Sequence, residues 1–264
     1  MNRSCIRLAV LAPFVPGGAG AVDEEAGGAK PATPARNRGL VELKRHSTDG
    51  GTAEETTKTN LKFDYFPREG AVPLFRLELP FPDEKTTFAG SPFDPDFGDA
   101  KIRLGLRAID FSIGPVTSFV ELTFPTAEPA SQGTGKYQFS AGVRTAMRMA
   151  PGTASFGSPA QSLAIQVQQV VSFSGDPARK DINQTKFELE WRDTWVGEHY
   201  AKATAKPVVD WIGAVQTGAV LELEGGWVLD PRWKLALMAG HLMWGEGVSG
   251  TYKTRAEIKV IYRY

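Results

Sequence analysis

Cysteine is all but missing from this chain: Cys5 is the one copy among 264 residues, so neither an intrachain disulfide nor a multi-cysteine metal site can form. Histidine is scarce, at His46, His199 and His241 alone. Net charge is absent, because 30 basic residues balance 30 acidic ones, which removes the basic surplus that nucleic-acid binding uses. Long apolar runs are missing too. No stretch approaches the roughly 18 apolar residues of a membrane-spanning helix. Beyond Gly39 no segment keeps apolar residues at three- and four-residue spacing long enough for an amphipathic helix. These gaps exclude a helical membrane bundle. They leave a membrane barrel open, since a barrel strand needs about ten residues of which half are apolar, and the 42% hydrophobic content is what such a chain should have.

What is present is turn residues and alternation. The 28 glycines and 18 prolines suit many turns. Near the N-terminus Arg3 and Arg7 flank and precede a short apolar stretch at 8–15, followed by Ala19, Gly20 and Ala21, the order of an export signal over residues 1–21. Cys5 precedes the apolar stretch, so the lipoprotein arrangement is absent. Residues 22–38 are rich in Ala, Gly, Pro and charge, bury too little apolar surface to order themselves, and are expected to form a flexible leader. One domain, 39–264, follows and runs on period two. Val41 and Leu43 alternate with Glu42 and Lys44, Leu61 and Phe63 with Lys62 and Asp64, and Phe187, Leu189 and Trp191 with Glu188, Glu190 and Arg192. About twelve such segments occur. The last places Ala256, Ile258, Val260, Tyr262 and Tyr264 opposite Glu257, Lys259 and Arg263.

A soluble sandwich and a membrane barrel share this alternation. Two features favour the barrel. With Tyr264 at the periplasm, the expected outer loops (47–56, 82–97, 126–135, 174–183, 212–216, 245–251) are mostly longer than the expected inner turns (67–71, 111–115, 150–159, 195–198, 228–231), with 150–159 and 212–216 as exceptions; outer-membrane barrels have this asymmetry. Several polar faces are also charged along their length in both signs, which inside a barrel would pair across strands. The expected fold is therefore all-β: a closed antiparallel up-and-down transmembrane β-barrel of about twelve strands in the bacterial outer membrane. Central packing of Leu104, Leu189 and Ile258 between two sheets would mark the sandwich instead.

The segment ELTFPTAEPASQGTGKYQFSAGV, Glu121 to Val143, with Pro125-Thr126 and Gly133-Thr134-Gly135-Lys136, resembles the outer-membrane transporter family named after a phenol meta-degradation pathway. A second block from Val167 to Trp191, with a Gly-Asp loop and an Asp-x-Asn return, is similar to the same family, as is Phe97-Gly98-Asp99. The likeness covers roughly 60–264; Ala127 stands where glycine is common in the family and Tyr264 where phenylalanine is usual. The resemblance implies a barrel that passes small molecules, aromatic or apolar ones included. It carries over no functional residues.

Candidate pore-lining residues are the charges on the polar faces: Arg76, Glu78, Arg103, Arg107, Arg144, Glu188, Glu190, Arg192, Lys202, Lys206, Glu222 and Glu224. Rings of such charge select permeants, or pair and close a narrow lumen. His241, beside Trp244, is expected to face outward near the outer rim, as a lipid-facing base or as a histidine of the aromatic belt. Trp211, Trp227, Trp233 and Trp244 fall near strand ends, as a girdle requires. Gly133-Thr134-Gly135-Lys136 is followed by Tyr137 and a strand, so it reads as a turn rather than a phosphate loop. Asp94, Asp96 and Asp99 read as a turn before they read as a calcium site. No cofactor and no metal are implied. The expected function is a passive channel, not an enzyme; a barrel enzyme modifying envelope lipid and a purely structural barrel are the alternatives. Expected partners are outer-membrane lipid, a small-molecule permeant and the barrel-assembly machinery acting on the C-terminal strand.

Overall fold

Strands whose two faces differ in polarity can satisfy both at once by curling into a closed sheet, and this chain does so. The computed structural model describes residues 38–49, 56–67, 72–83, 96–111, 114–128, 132–149, 160–195 and 199–264. The expected export signal and all but the last residue of the expected leader lie outside the described residues, while Arg38 already belongs to the first strand.

The strands are β1 (Arg38–Thr48), β2 (Thr56–Phe66), β3 (Leu74–Pro82), β4 (Lys101–Gly105), β5 (Ile109–Phe111), β6 (Gly114–Thr123), β7 (Lys136–Arg148), β8 (Ala160–Gly175), β9 (Asn183–Thr194), β10 (Tyr200–Asp210), β11 (Gln216–Val228), β12 (Trp233–Trp244) and β13 (Thr254–Arg263). Chain neighbours pair antiparallel, and β1 also pairs with β13, so the sheet closes. β4 and β5 both pair with β6 and are two pieces of one barrel strand. The barrel therefore has the twelve strands expected. Closure matters in hydrocarbon, where each unpaired backbone group at an open edge would cost several kcal/mol.

The register fixes what points where. Glu42, Lys62, Glu78 and Lys101 form one continuous cross-strand row, and Asp64, Arg76, Arg103 and Glu121 another, all on the inward face. The apolar partners face outward. Leu189 and Ile258 are 46% and 47% exposed, and Leu104 shares their face through its row with Phe75 and Val120. They do not meet at a centre, which removes the sandwich. Leu237, in the middle of β12, also faces out. Leu237→Arg is expected to reduce unfolding free energy by about 2–4 kcal/mol, the cost of a cation on a lipid face at the midplane. Urea unfolding of the protein in lipid vesicles measures it.

Aromatic residues mark the two ends of the apolar band. Trp211 and Trp244 lie at the outer end, and Trp195, Trp227 and Trp233 at the inner end, all exposed on the outward face. Trp233 stacks on Tyr262 with ring centroids 4.7 Å apart. The indole of Trp211 donates to Thr185 Oγ1 at 2.9 Å. Such rings settle at the headgroup level. The connections show the expected asymmetry in length: the inner ones include the two-residue β5–β6 link, the outer ones the β3–β4 link that runs from the end of β3 at Pro82 to β4 at Lys101.

Candidate functional site

Of the twelve candidate charges, the register places eleven on the inner wall. Arg107 is the exception. β4 ends at Gly105, opposite Phe119, and pairing resumes at Ile109, opposite Val116. Three residues on one side thus face two on the other, a bulge that breaks the alternation, and Arg107 within it is exposed near the inner rim, with no ladder partner to assign it to a face.

Most inward charges are engaged by a charge on the next strand or the one beyond it. The Arg76 guanidinium donates to both Asp64 oxygens at 2.7 and 2.8 Å. Lys62 pairs with Glu42 at 2.8 Å, and Arg103 with Glu121 at 2.7 Å. Arg144 reaches Glu188 at 3.4 Å and Glu190 at 3.3 Å. Glu224 has three close partners: it accepts from Tyr200 Oη at 2.6 Å and lies 2.9 Å from Lys259 Nζ and 3.2 Å from Lys202 Nζ. Glu222 is salt-bridged to Lys206 and accepts from Tyr252 Oη at 2.7 Å. Lys62, Asp64, Glu121, Lys259 and the two tyrosines were not singled out by sequence. The charged ones follow from the same alternation; Tyr252 does not, because it lies beyond the end of β12.

Three inward aromatic rings lie flat against the wall. Phe119 covers Gly142, Tyr200 covers Gly226, and Tyr252 covers Gly240; a Cβ at any of these glycines would overlap the ring. An arginine then caps each ring: Arg103 on Phe119 at 4.2 Å, Arg192 on Tyr200 at 4.0 Å and Arg255 on Tyr252 at 4.2 Å from the centroid. Each such cation–π contact contributes about 0.5–2 kcal/mol. Glycine makes the close approach possible, and the arginine shields the ring from lumenal water.

The β12–β13 connection, 245–253, turns into the barrel. Val248 and Tyr252 are buried. Tyr252 bonds to Glu222, the Ser249 carbonyl accepts from Gln184 Nε2 at 3.1 Å, and Gly250 lies against Val208. Gln184, Val208 and Glu222 all belong to the inward face of β9 to β11. Thr251 Oγ1 bonds to the carbonyls of Gly245 and Val248 at 3.0 and 2.8 Å, holding the turn.

The turn motifs converge at the outer rim. Asp99 Oδ2 accepts from the Thr134 N–H at 2.6 Å and from its hydroxyl at 2.7 Å, and Thr126 Oγ1 links the Gly98 carbonyl and the Ala100 N–H, both at 2.9 Å. Gly135 has φ +67° and leads straight into β7, so the Gly-Thr-Gly-Lys segment is a turn. Lys136 Nζ, 2.8 Å from Asp181, holds that carboxyl below the usual carboxylate range through a hydrogen bond and its charge. Asp94 lies outside the described residues; Asp96 accepts from Gln132 at 3.2 Å. No cluster able to hold a metal is found among the described residues. His241 pairs in register with Leu221 and Thr254, is exposed on the outward face, and makes no hydrogen bond among the described residues.

No family model and no curated protein match the chain. Solved structures do. The COG4313 outer membrane channel from Pseudomonas putida F1 superposes with a TM-score of 0.62 at 12% identity, covering 91% of this chain and all of that one. The NanC porin superposes with a TM-score of 0.54 at 10% identity, covering 84% and 98%. At such identities the likeness speaks for the fold. A closed barrel with an apolar outer face, aromatic ends and an ionic interior is an outer-membrane β-barrel, and the bacterial outer membrane is where this chain resides.

Proposed function

We propose that this barrel is a passive channel for small molecules; the resemblance of its turn motifs implies that aromatic or apolar ones are included, while the charged wall described above favours polar or charged ones. The observation that carries the reading is Lys186: it points inward on β9 yet is exposed, so the interior is not filled at that level and water reaches the wall. A purely structural barrel would close its lumen with side chains throughout. The charged groups along the wall, each paired at its own stretch of strand, make that surface one that water wets. β13, with its alternating face and aromatic end, is the segment we assign to recognition by the barrel-assembly machinery.

Reconstitution in a planar bilayer tests the channel. Discrete conductance steps are expected, and His241→Ala should leave them unchanged, since that side chain faces lipid. Silent membranes despite folded protein would remove the reading. Loss of an envelope-lipid-modifying activity in His241→Ala would favour the enzyme instead.

A further inference from the structure

Four inward lysines stand apart from the ionic pairing: Lys44, Lys58, Lys101 and Lys186. Lys101 and Lys58 lie at the outer ends of β4 and β2, Lys186 in the outer third of β9, and Lys44 in the outer half of β1. Register places all four on the inner wall. None has a carboxylate within 4 Å among the described residues, whereas Lys62, Lys202, Lys206 and Lys259 each have one. They are also within electrostatic reach of one another: Lys58 of Lys44 and Lys101, and Lys186 of Lys101.

The acidic groups facing this cluster do not cancel it. Glu121 is paired with Arg103 and Glu42 with Lys62, while Asp99 bonds to Thr134 and keeps its charge beside Lys58. Glu78 is the other uncompensated neighbour, in the field of Lys101, Lys44 and Lys62 without a direct ion pair among the described residues. Four ammonium groups thus share two carboxylates that have no ion pair among the described residues, Glu78 and Asp99, and keep a positive surplus. Like charges gathered on a low-dielectric wall raise the local concentration of counter-ions and reject co-ions. The inward fold of 245–253 occupies the wall at β9 to β11, so the lysines on β1, β2 and β4 border the side that this loop leaves uncovered.

We propose that the outer half of the lumen is an anion-binding vestibule in which Lys44, Lys58, Lys101 and Lys186 receive small carboxylate permeants. The proposal rests on the channel reading and adds the charge of the permeant. Ammonium groups on flexible stems suit it, because each can follow a moving carboxylate without holding it in one geometry.

Reversal potential under a KCl gradient is the measurement, on the full chain in a planar bilayer, followed by addition of succinate to the outer side. Chloride is expected to permeate roughly threefold or more over potassium, and succinate to reduce chloride current. The Lys58→Gln, Lys101→Gln, Lys186→Gln triple variant should keep its conductance steps while losing both effects. The matching triple arginine variant, which keeps the charge, should retain the anion preference. An unselective or cation-selective wild type, or a glutamine variant that stays anion-selective, overturns the vestibule and leaves the channel standing. Should the glutamine variant fail to fold, the three single glutamine substitutions decide, each expected to lower the chloride preference. Complete absence of conductance overturns the channel reading and this proposal together.

Discussion

Deletion of residues 246–252 is expected to raise single-channel conductance at least about twofold, because it empties part of the lumen cross-section that sets ion flux. The segment is held inside by Tyr252 on Glu222, by Gln184 on the Ser249 carbonyl and by burial of Val248. Its removal leaves Gly245 and Lys253 between Trp244 and Thr254, a two-residue link that antiparallel strands accept. Gly245 already has φ +82°, as such a turn requires. Tyr252→Phe is the milder companion: the ring keeps its place over Gly240 and under Arg255, only the bond to Glu222 is lost, and the mean current should change little while its fluctuations increase. An unchanged conductance in the deletion would show that the narrowest point lies elsewhere.

Glu224→Gln is expected to be the most destabilising single change on the inner wall, by about 3 kcal/mol, because removing one partner leaves the others charged and unsatisfied in a buried setting. Glu224 is 7% exposed and joins β10, β11 and β13 through Lys202, Tyr200 and Lys259. Glu190→Gln, whose contacts to Arg144 and Lys202 are 3.3 and 4.0 Å, should cost about 1 kcal/mol or less, in the range of a loosely held ion pair. The urea midpoint of the folded barrel, or the temperature at which it loses its compact migration in detergent gels, ranks the two. Equal effects would argue that the three-strand junction has no special weight.

Much of this architecture can be read from the residues, for a simple reason. Period-two alternation assigns every strand residue to a face, so Arg76, Glu188 and Glu222 could be placed inside, and Leu189 and Ile258 outside, before any pairing was known. Trp211 and Trp244 were legible as girdle residues because they end their strands. Arg107 is less securely read than the others because a bulge leaves no mark in an alternating pattern: Leu106, Arg107 and Ala108 continue the rhythm while the strand gains a residue against its partner. Tyr252 was missed for the opposite reason. It lies outside any alternating segment, and its inward path depends on Gly240 of β12 and on Glu222 of β11, one strand further along the sheet. The distinction between engaged and unengaged lysines also depends on which residue lies across from which, and that is a property of the closed sheet.

The three rings laid over Gly142, Gly226 and Gly240 have a further consequence for how the bore is dimensioned. A bulky residue that lies flush against a bare stretch of backbone takes up wall thickness and leaves the opening clear. A single methyl group added beneath any of them would tilt the ring toward the axis like a valve flap. Calibre in this barrel is therefore governed by the smallest side chains as much as by the largest.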